Sequence, residues 1–162
     1  MLAENVFLKP GELFFGKDPV VVGTVLGSCV AVTMFHKGRG IGAICHGQLP
    51  ECRDSDFVEA TSPKYVDVAI NKLIKLFNRE GVDLKEIEIK LFGGSEILKR
   101  GEAVQRIRVG KQNIDKATDI LEKNELKISA RDVGGPVGRK ILFDVRNGNV
   151  FVKRLKDRSG VE

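Results

Sequence analysis

Residues 20–49 of this chain, VVVGTVLGSCVAVTMFHKGRGIGAICHGQL, decide its fold. Three runs rich in apolar and β-branched residues predict buried strands, which are Val20–Val22, Val30–Phe35 and Ile41–Leu49. Gly27-Ser28 predicts a turn between the first two strands, and the segment Lys37-Gly38-Arg39-Gly40 predicts a hairpin between the second and third. The second and third strands should therefore pair with each other.

The remainder of the chain predicts two helices. After Ser62-Pro63, an N-cap and a first helical residue, apolar residues recur with helical spacing until the helix ends near Gly81. These apolar positions are Val66, Ala69, Ile70, Leu73, Ile74 and Phe77. A second helix is predicted to begin near Asn113, and its expected buried residues are Ile114, Ala117, Ile120 and Leu121. Both helices should cover a sheet.

Further strands complete the expected fold. They are Ile87–Leu91, Lys127–Val133, Lys140–Val145 and Val150–Leu155. The Asn-Gly pair in Arg146–Asn149 predicts a hairpin between the last two. We expect an α+β fold of the layered αββα type, with mainly antiparallel strands and two amphipathic helices, as a single domain over residues 1–162.

Composition excludes several classes of protein. Of the 162 residues, 42% are hydrophobic and 30% are charged, which excludes general disorder. The net charge of +5 includes no run of five like charges, so nucleic acid is not an expected partner. Three cysteines argue against a disulfide framework. The N-terminus resembles no secretory signal and glycines interrupt the uncharged stretch Pro19–Phe35, so we expect a cytoplasmic protein without membrane insertion.

Cys29 and His46 are the residues best placed for chemistry. Cys29 follows a Gly-Ser turn, where the backbone N–H groups of Ser28 and Cys29 can stabilise an oxyanion. A thiol needs a neighbouring base, and pairing Phe35 with Ile41 brings Cys29 near Gly47, within reach of His46. Burial in the core is the competing explanation for a cysteine and a histidine in apolar strands.

Other polar groups point to less specific roles. His36 opens a hairpin turn and is expected on the surface. Irregular spacing argues against a metal site, so Cys45 is expected in the core on the face opposite His46, and Cys52 on the surface or in a loop. The glycine loops at residues 93–96 and 134–138 lack phosphate-binding signatures and predict tight turns that can border a cleft.

Six segments follow one another along the chain, which are Gly23–Val32, Gly42–Pro50, Lys64–Asp67, Phe92–Ser95, Val109–Ile114 and Asp132–Arg139. This ordered set resembles the CheD family of chemoreceptor glutamine deamidases. The Leu-Gly-Ser-Cys motif alone would be weak evidence, but the ordered set extends over nearly the whole chain. In this family a threonine can stand six residues before the cysteine, where this chain has Gly23, whereas Thr24 stands five before it. Gly47 and Gln48 replace a bulky apolar residue and a methionine, which predicts a different cleft lining.

The resemblance implies a function and a site. It implies a cysteine hydrolase that deamidates glutamines in the helical cytoplasmic region of chemoreceptors, with Cys29 as nucleophile, His46 as base and Thr24 orienting the histidine. No cofactor or metal is expected. Receptor methyl esters are a second implied substrate, and a CheC-type chemotaxis phosphatase is an implied partner. The alternative is a non-catalytic or weakly active binding module that regulates that phosphatase.

Overall fold

The computed structural model describes residues 4–53, 60–97 and 108–156. The strands in these ranges are β1 (Glu4–Phe7), β2 (Leu13–Gly16), β3 (Val20–Leu26), β4 (Val30–His36), β5 (Ile41–Gly47), β6 (Ile87–Gly93), β7 (Ile128–Val133), β8 (Arg139–Asp144) and β9 (Val150–Arg154). The helices are α1 (Val66–Arg79), α2 (Val109–Lys123) and a short 3-10 helix (Leu84–Glu86). No helix among the described residues has the length and apolar character needed to cross a membrane.

The strands form two sheets. One contains four strands in the order β1-β3-β8-β9, and the other contains five in the order β2-β5-β4-β6-β7. The pairs β1–β3 and β6–β7 are parallel, and the other neighbouring strands are antiparallel. The predicted α+β class, the mainly antiparallel strands and the two amphipathic helices are confirmed.

The five-stranded sheet is buried on both faces. One face packs against α1 and α2, and the other packs against the four-stranded sheet. The six residues predicted for the apolar face of the first helix are all buried on α1. Both described helices lie on the same side, so the layers of the described residues run from the four-stranded sheet to the five-stranded sheet and then to the helices.

The segment between β3 and β4 crosses from one sheet to the other. β3 belongs to the four-stranded sheet and β4 to the five-stranded sheet, so the turn at residues 27–29 connects the two layers. Cys29 therefore lies where the two sheets meet. β4 and β5 pair as a hairpin, as the sequence predicts.

Two predicted helix starts are wrong. α1 begins at Val66 with Tyr65 as its N-cap, and Ser62 instead accepts a hydrogen bond from the Lys64 N–H within the preceding turn. α2 begins at Val109, four residues before Asn113. Its buried residues are Gly110, Asn113, Ala117 and Leu121, whereas Ile114 and Ile120 are only partly buried. A helix face that carries a glycine can approach a neighbouring loop closely, and the spacing of apolar residues does not predict such an approach.

Candidate active site

Strand pairing brings Cys29 and His46 to the same face of the five-stranded sheet. His46 lies opposite Ala31, and His36 lies opposite Ile41, one residue from the predicted register. Cys29 precedes Ala31 by two residues and packs in the same inter-sheet cluster as Ala31. Diagonal neighbours of this kind lie about 7 to 8 Å apart at the backbone, within reach of a histidine side chain.

Thr24 contacts the imidazole of His46 from the opposite sheet. Its Oγ1 lies 2.7 Å from His46 Nδ1 and donates a hydrogen bond to the Leu8 carbonyl at 2.7 Å. A hydroxyl has one proton, so Thr24 must accept from Nδ1, and Nδ1 must carry the ring proton. The contact therefore selects the tautomer whose Nε2 has a free lone pair.

Alternation along β3 explains why Thr24 makes this contact. Val22, Thr24 and Leu26 are fully buried, with Val22 and Leu26 in the inter-sheet cluster. Adjacent side chains on a strand point to opposite faces, so a side chain at Gly23 would point away from His46. A β-carbon at Gly23 would instead lie 3.2 Å from the Leu142 side chain.

Burial keeps the candidate pair uncharged at neutral pH. His46 is only 1% exposed, and its burial lowers the pKa from 6.5 to about 4. Burial also raises the pKa of the partly exposed Cys29 thiol above its usual value. His46 Nε2 is buried and has no hydrogen-bond partner among the described residues. The site therefore holds a neutral base beside a neutral thiol.

The two glycine loops border the turn that carries Cys29. Gly94 N–H donates to the Cys29 carbonyl at 2.8 Å, and Ser95 N–H donates to the Gly27 carbonyl at 2.9 Å. Gly93, Gly94, Gly134 and Gly135 all have positive φ, so the predicted turns are confirmed. A β-carbon at Gly93 would lie 2.3 Å from the Cys29 carbonyl oxygen, so a side chain at this position would displace the turn.

The buried side chain of Arg139 connects the two glycine loops. Its side chain is 2% exposed and forms an ion pair with Asp132 at 2.8 Å. It also donates to the Gly134 carbonyl and to Ser95 Oγ. An open cleft of about 710 Å³ is lined by Leu26 and Gly27, just before the Cys29 turn, and by Val137 of the second glycine loop. Thr24, Cys29 and His46 are not among the residues that line it.

Several other predictions can be compared with the structure. His36 is 4% exposed, so the predicted surface position is wrong: β4 extends through it, and its ring contacts Glu86 at 2.9 Å and accepts from the Arg39 N–H. Cys45 is buried on the helix side, opposite His46, as predicted. Cys52 is partly buried outside regular secondary structure. Gly47 contacts Val66 of α1, so it does not line the cleft.

Two features of the site lack a signal in the sequence. The acceptor for the Thr24 hydroxyl is the backbone carbonyl of Leu8, and a backbone group cannot be recognised from residue types in the sequence. Arg139 lies at the start of β8, where a lone arginine is normally exposed. Together the two-sheet fold and the site define a candidate cysteine–histidine active site, with the histidine oriented by a threonine.

Comparison with known proteins identifies the family of this chain. The family model "CheD chemotactic sensory transduction" matches residues 48–154. A probable chemoreceptor glutamine deamidase CheD 2 of Geobacter sulfurreducens is 43% identical, over 93% of this chain and 90% of the relative. A probable chemoreceptor glutamine deamidase CheD of Maridesulfovibrio salexigens is 42% identical, over 94% and 92%. The chain belongs to the CheD family.

One solved structure has a limited similarity to the chain. It is a hypothetical protein YfiH of Bacillus licheniformis, with a TM-score of 0.36 and 15% identity over 67% of this chain and 34% of that chain.

Proposed function

We propose that the chain is a chemoreceptor glutamine deamidase, a cysteine hydrolase that converts receptor glutamine side chains to glutamate. The hydrogen bond between Thr24 and His46 carries this proposal, because it leaves Nε2 as a free base on the face that Cys29 shares. The named activity of the relatives supports the same reaction. Thr24, Cys29 and His46 would then have the roles that the family resemblance implies.

The first step forms a thioester. His46 Nε2 removes the proton from Cys29 as the sulfur attacks the carboxamide carbon, so charge develops only during the reaction. The lowered pKa of His46 and the raised pKa of Cys29 favour this concerted transfer over a preformed thiolate–imidazolium pair. The N–H groups of Ser28 and Cys29 stabilise the oxyanion. His46 then protonates the leaving nitrogen, and ammonia departs.

The second step releases glutamate. Water enters the position of the departed ammonia, His46 removes one of its protons, and the resulting nucleophile attacks the thioester carbon. Collapse of the second tetrahedral intermediate breaks the carbon–sulfur bond, and Cys29 recovers its proton from His46. Thr24 accepts from Nδ1 throughout and stabilises the imidazolium that forms in each step.

The product changes the electrostatics of the receptor. Each reaction replaces a neutral amide by a carboxylate, which alters the packing of a receptor helix with its neighbours. A receptor methyl ester presents the same carbonyl to Cys29 and differs only in its leaving group. We place the reaction in the cytoplasm, because the resemblance implies a cytoplasmic receptor region as substrate. A CheC-type phosphatase is the proposed regulatory partner.

Mass spectrometry of a chemoreceptor cytoplasmic fragment tests the proposal. The fragment is incubated with the wild-type protein and with the variants Cys29→Ala, His46→Ala, Cys52→Ala and His36→Gln. Specific conversion of glutamine to glutamate is expected with the wild type and the two controls, Cys52→Ala and His36→Gln. It should be absent with Cys29→Ala and His46→Ala. The same spectra report hydrolysis of methyl esters in a methylated fragment.

The opposite result has a defined meaning. If folded wild-type protein converts no glutamine in several receptor fragments, the deamidase proposal is wrong. Binding of a CheC-type phosphatase by the same preparation would then favour the regulatory binding module. If Cys29→Ala retains activity, the assignment of the nucleophile is wrong even if the reaction is observed.

A further inference from the structure

Asn113 is a buried polar side chain that the proposed mechanism does not use. It is 0% exposed and lies on α2, the helix beside the Cys29 turn. Its Nδ2 donates to the Ser28 carbonyl at 2.9 Å and to the Gln48 carbonyl at 3.1 Å. Both partners are acceptors, so the amide nitrogen must face them. The side-chain orientation is thereby determined.

The turn before the nucleophile is held at three successive carbonyl groups. Ser95 N–H holds the Gly27 carbonyl, Asn113 Nδ2 holds the Ser28 carbonyl, and Gly94 N–H holds the Cys29 carbonyl. Two of these donors belong to one backbone segment. Asn113 is a side-chain donor, so one substitution can remove its hydrogen bond to the turn selectively.

The Ser28 carbonyl controls the direction of the Cys29 N–H. The two groups belong to one trans peptide, in which the C=O and the N–H point in opposite directions. Because Asn113 draws the carbonyl towards α2, the Cys29 N–H points away from that helix. No backbone carbonyl of the described residues accepts from the N–H of Ser28 or Cys29, and the Cys29 N–H lies against its own thiol.

Close packing brings Asn113 to this position. Gly110 lies one helical turn before it, and a β-carbon there would approach the Gly94 carbonyl oxygen to 2.5 Å and the Ser95 carbonyl oxygen to 2.6 Å. The glycine therefore lets α2 rest directly on the 93–95 segment. The second bond, to the Gln48 carbonyl at the end of the His46 strand, prevents rotation of the amide.

We propose that Asn113 is a positioning residue that aims the Cys29 N–H at the oxyanion of the reaction. The inference rests on the proposed deamidase function and adds a residue to it. Asn113 does not contact the substrate, and it acts by fixing the Ser28–Cys29 peptide before substrate binds. Preorganised donors stabilise an oxyanion because they do not need to reorient during the reaction.

Two substitutions separate this role from general stability. Asn113→Asp keeps the side-chain shape, but its carboxylate can only accept and cannot hold the Ser28 carbonyl. Asn113→Ala removes the group. Asn124→Ala is the matched control, because Asn124 is an exposed amide near the end of the same helix and donates to the Ile120 carbonyl at 2.7 Å. Circular dichroism verifies that each variant is folded under the assay conditions.

Two reactions of Cys29 give the discriminating readout. Removal of one oxyanion donor costs about 100- to 1,000-fold in kcat. Asn113 acts only indirectly, through the Ser28–Cys29 peptide. We therefore expect kcat for deamidation to be about 10- to 100-fold lower in both Asn113 variants, with KM unchanged. Alkylation of Cys29 by iodoacetamide forms no oxyanion, so its rate should stay within about threefold of the wild type. Asn124→Ala should change neither rate.

Two outcomes overturn the proposal. One is a kcat within about threefold of wild type in folded Asn113→Asp, since the carboxylate removes both donated bonds. The other is an equal fall in the kcat of deamidation and in the alkylation rate of Cys29. That result would mean that Asn113 affects the reactivity of the thiol or the stability of the whole fold. A change in KM alone would also contradict a transition-state role.

Hydrogen exchange of the wild-type protein provides a measurement without substitution. The amide protons of Gly94 and Ser95 should be protected, because they donate to the carbonyls of the turn. The Cys29 amide proton should exchange rapidly. Protection of the Cys29 amide would refute the orientation of this peptide, even if the chain deamidates receptors. Absence of deamidation by the wild type would instead refute the proposed function while this orientation stands.

Discussion

Replacement of Thr24 by valine is the most direct test of how the site is organised. Valine has nearly the same shape as threonine but lacks the hydroxyl that joins the Leu8 carbonyl to His46 Nδ1. Both partner groups would remain in a fully buried region, since Thr24 is 0% exposed. The substitution therefore removes two hydrogen bonds without opening a cavity.

The structure sets the size of the expected effects. Each buried group left without a partner costs about 1 to 3 kcal/mol, so the two together should lower the free energy of unfolding by about 2 to 6 kcal/mol. Without its acceptor at Nδ1, the ring is also free to place its proton on Nε2, where it would abolish the base. A wrong tautomer costs up to about 10,000-fold in related triads, and we expect kcat to fall at least about 100-fold.

Thr24→Ser is the matched control for this experiment. It keeps the hydroxyl and loses one buried methyl group, which costs about 1 kcal/mol. The chain has no tryptophan, so urea unfolding is best followed by circular dichroism. Deamidation and iodoacetamide alkylation of Cys29 are then measured for both variants in buffer without urea, where each variant is folded.

The reasoning fails if the two variants behave alike. Equal kcat values for folded Thr24→Val and Thr24→Ser would show that the hydroxyl does not orient His46. A valine variant as stable as the serine variant would show that the Leu8 carbonyl and Nδ1 find other partners. Either result would remove the main support for His46 as the base.

Three further predictions concern His46, the thiols and Gly47. Burial lowers the pKa of His46 to about 4 in the folded chain, so the unfolded chain binds more protons than the folded chain between pH 6.5 and about pH 4. The free energy of unfolding should therefore fall by about 3 kcal/mol as the pH drops through this window, and urea titrations of His46→Gln should show a smaller fall. Iodoacetamide at neutral pH should modify Cys45 last, because burial raises its pKa to about 12, and His46→Ala should slow Cys29 alone. Gly47→Ala should destabilise the fold by about 1 to 3 kcal/mol, because its β-carbon would lie 2.6 Å from Val66 Cγ2, and a smaller loss is expected in a Val66→Ala background. A free energy of unfolding that does not change with pH would contradict the first prediction, and early modification of Cys45 would contradict the second. An unchanged unfolding midpoint in Gly47→Ala would contradict the third.

Local patterns predicted the elements that depend on local interactions. The apolar spacing of α1 identified all six of its buried residues, because one helix face is defined by residues three and four apart. The hairpins β4–β5 and β8–β9 followed from their turn residues. β1 and β2 had not been predicted, since each has only four residues and their burial depends on distant partners.

Pairing in the hairpin also predicted that Cys29 and His46 approach each other. It did not predict that β3 leaves the sheet of β4, because residues 27–29 are compatible with a simple turn in either arrangement. That crossing carries Thr24 on β3 over the ring of His46. The burial of His36 was missed for a related reason, because its partner Glu86 is distant in sequence.

The sequence by itself determined the strands and helices, the hairpin that brings the cysteine and histidine together, and the resemblance to one family. Only the tertiary structure decided which side chains complete the site. Thr24 reaches His46 from the other sheet, and Asn113 reaches the Ser28 carbonyl from a helix 85 residues away. Contacts between separate layers depend on how whole sheets and helices pack, and this packing is set by the entire core rather than by any local pattern.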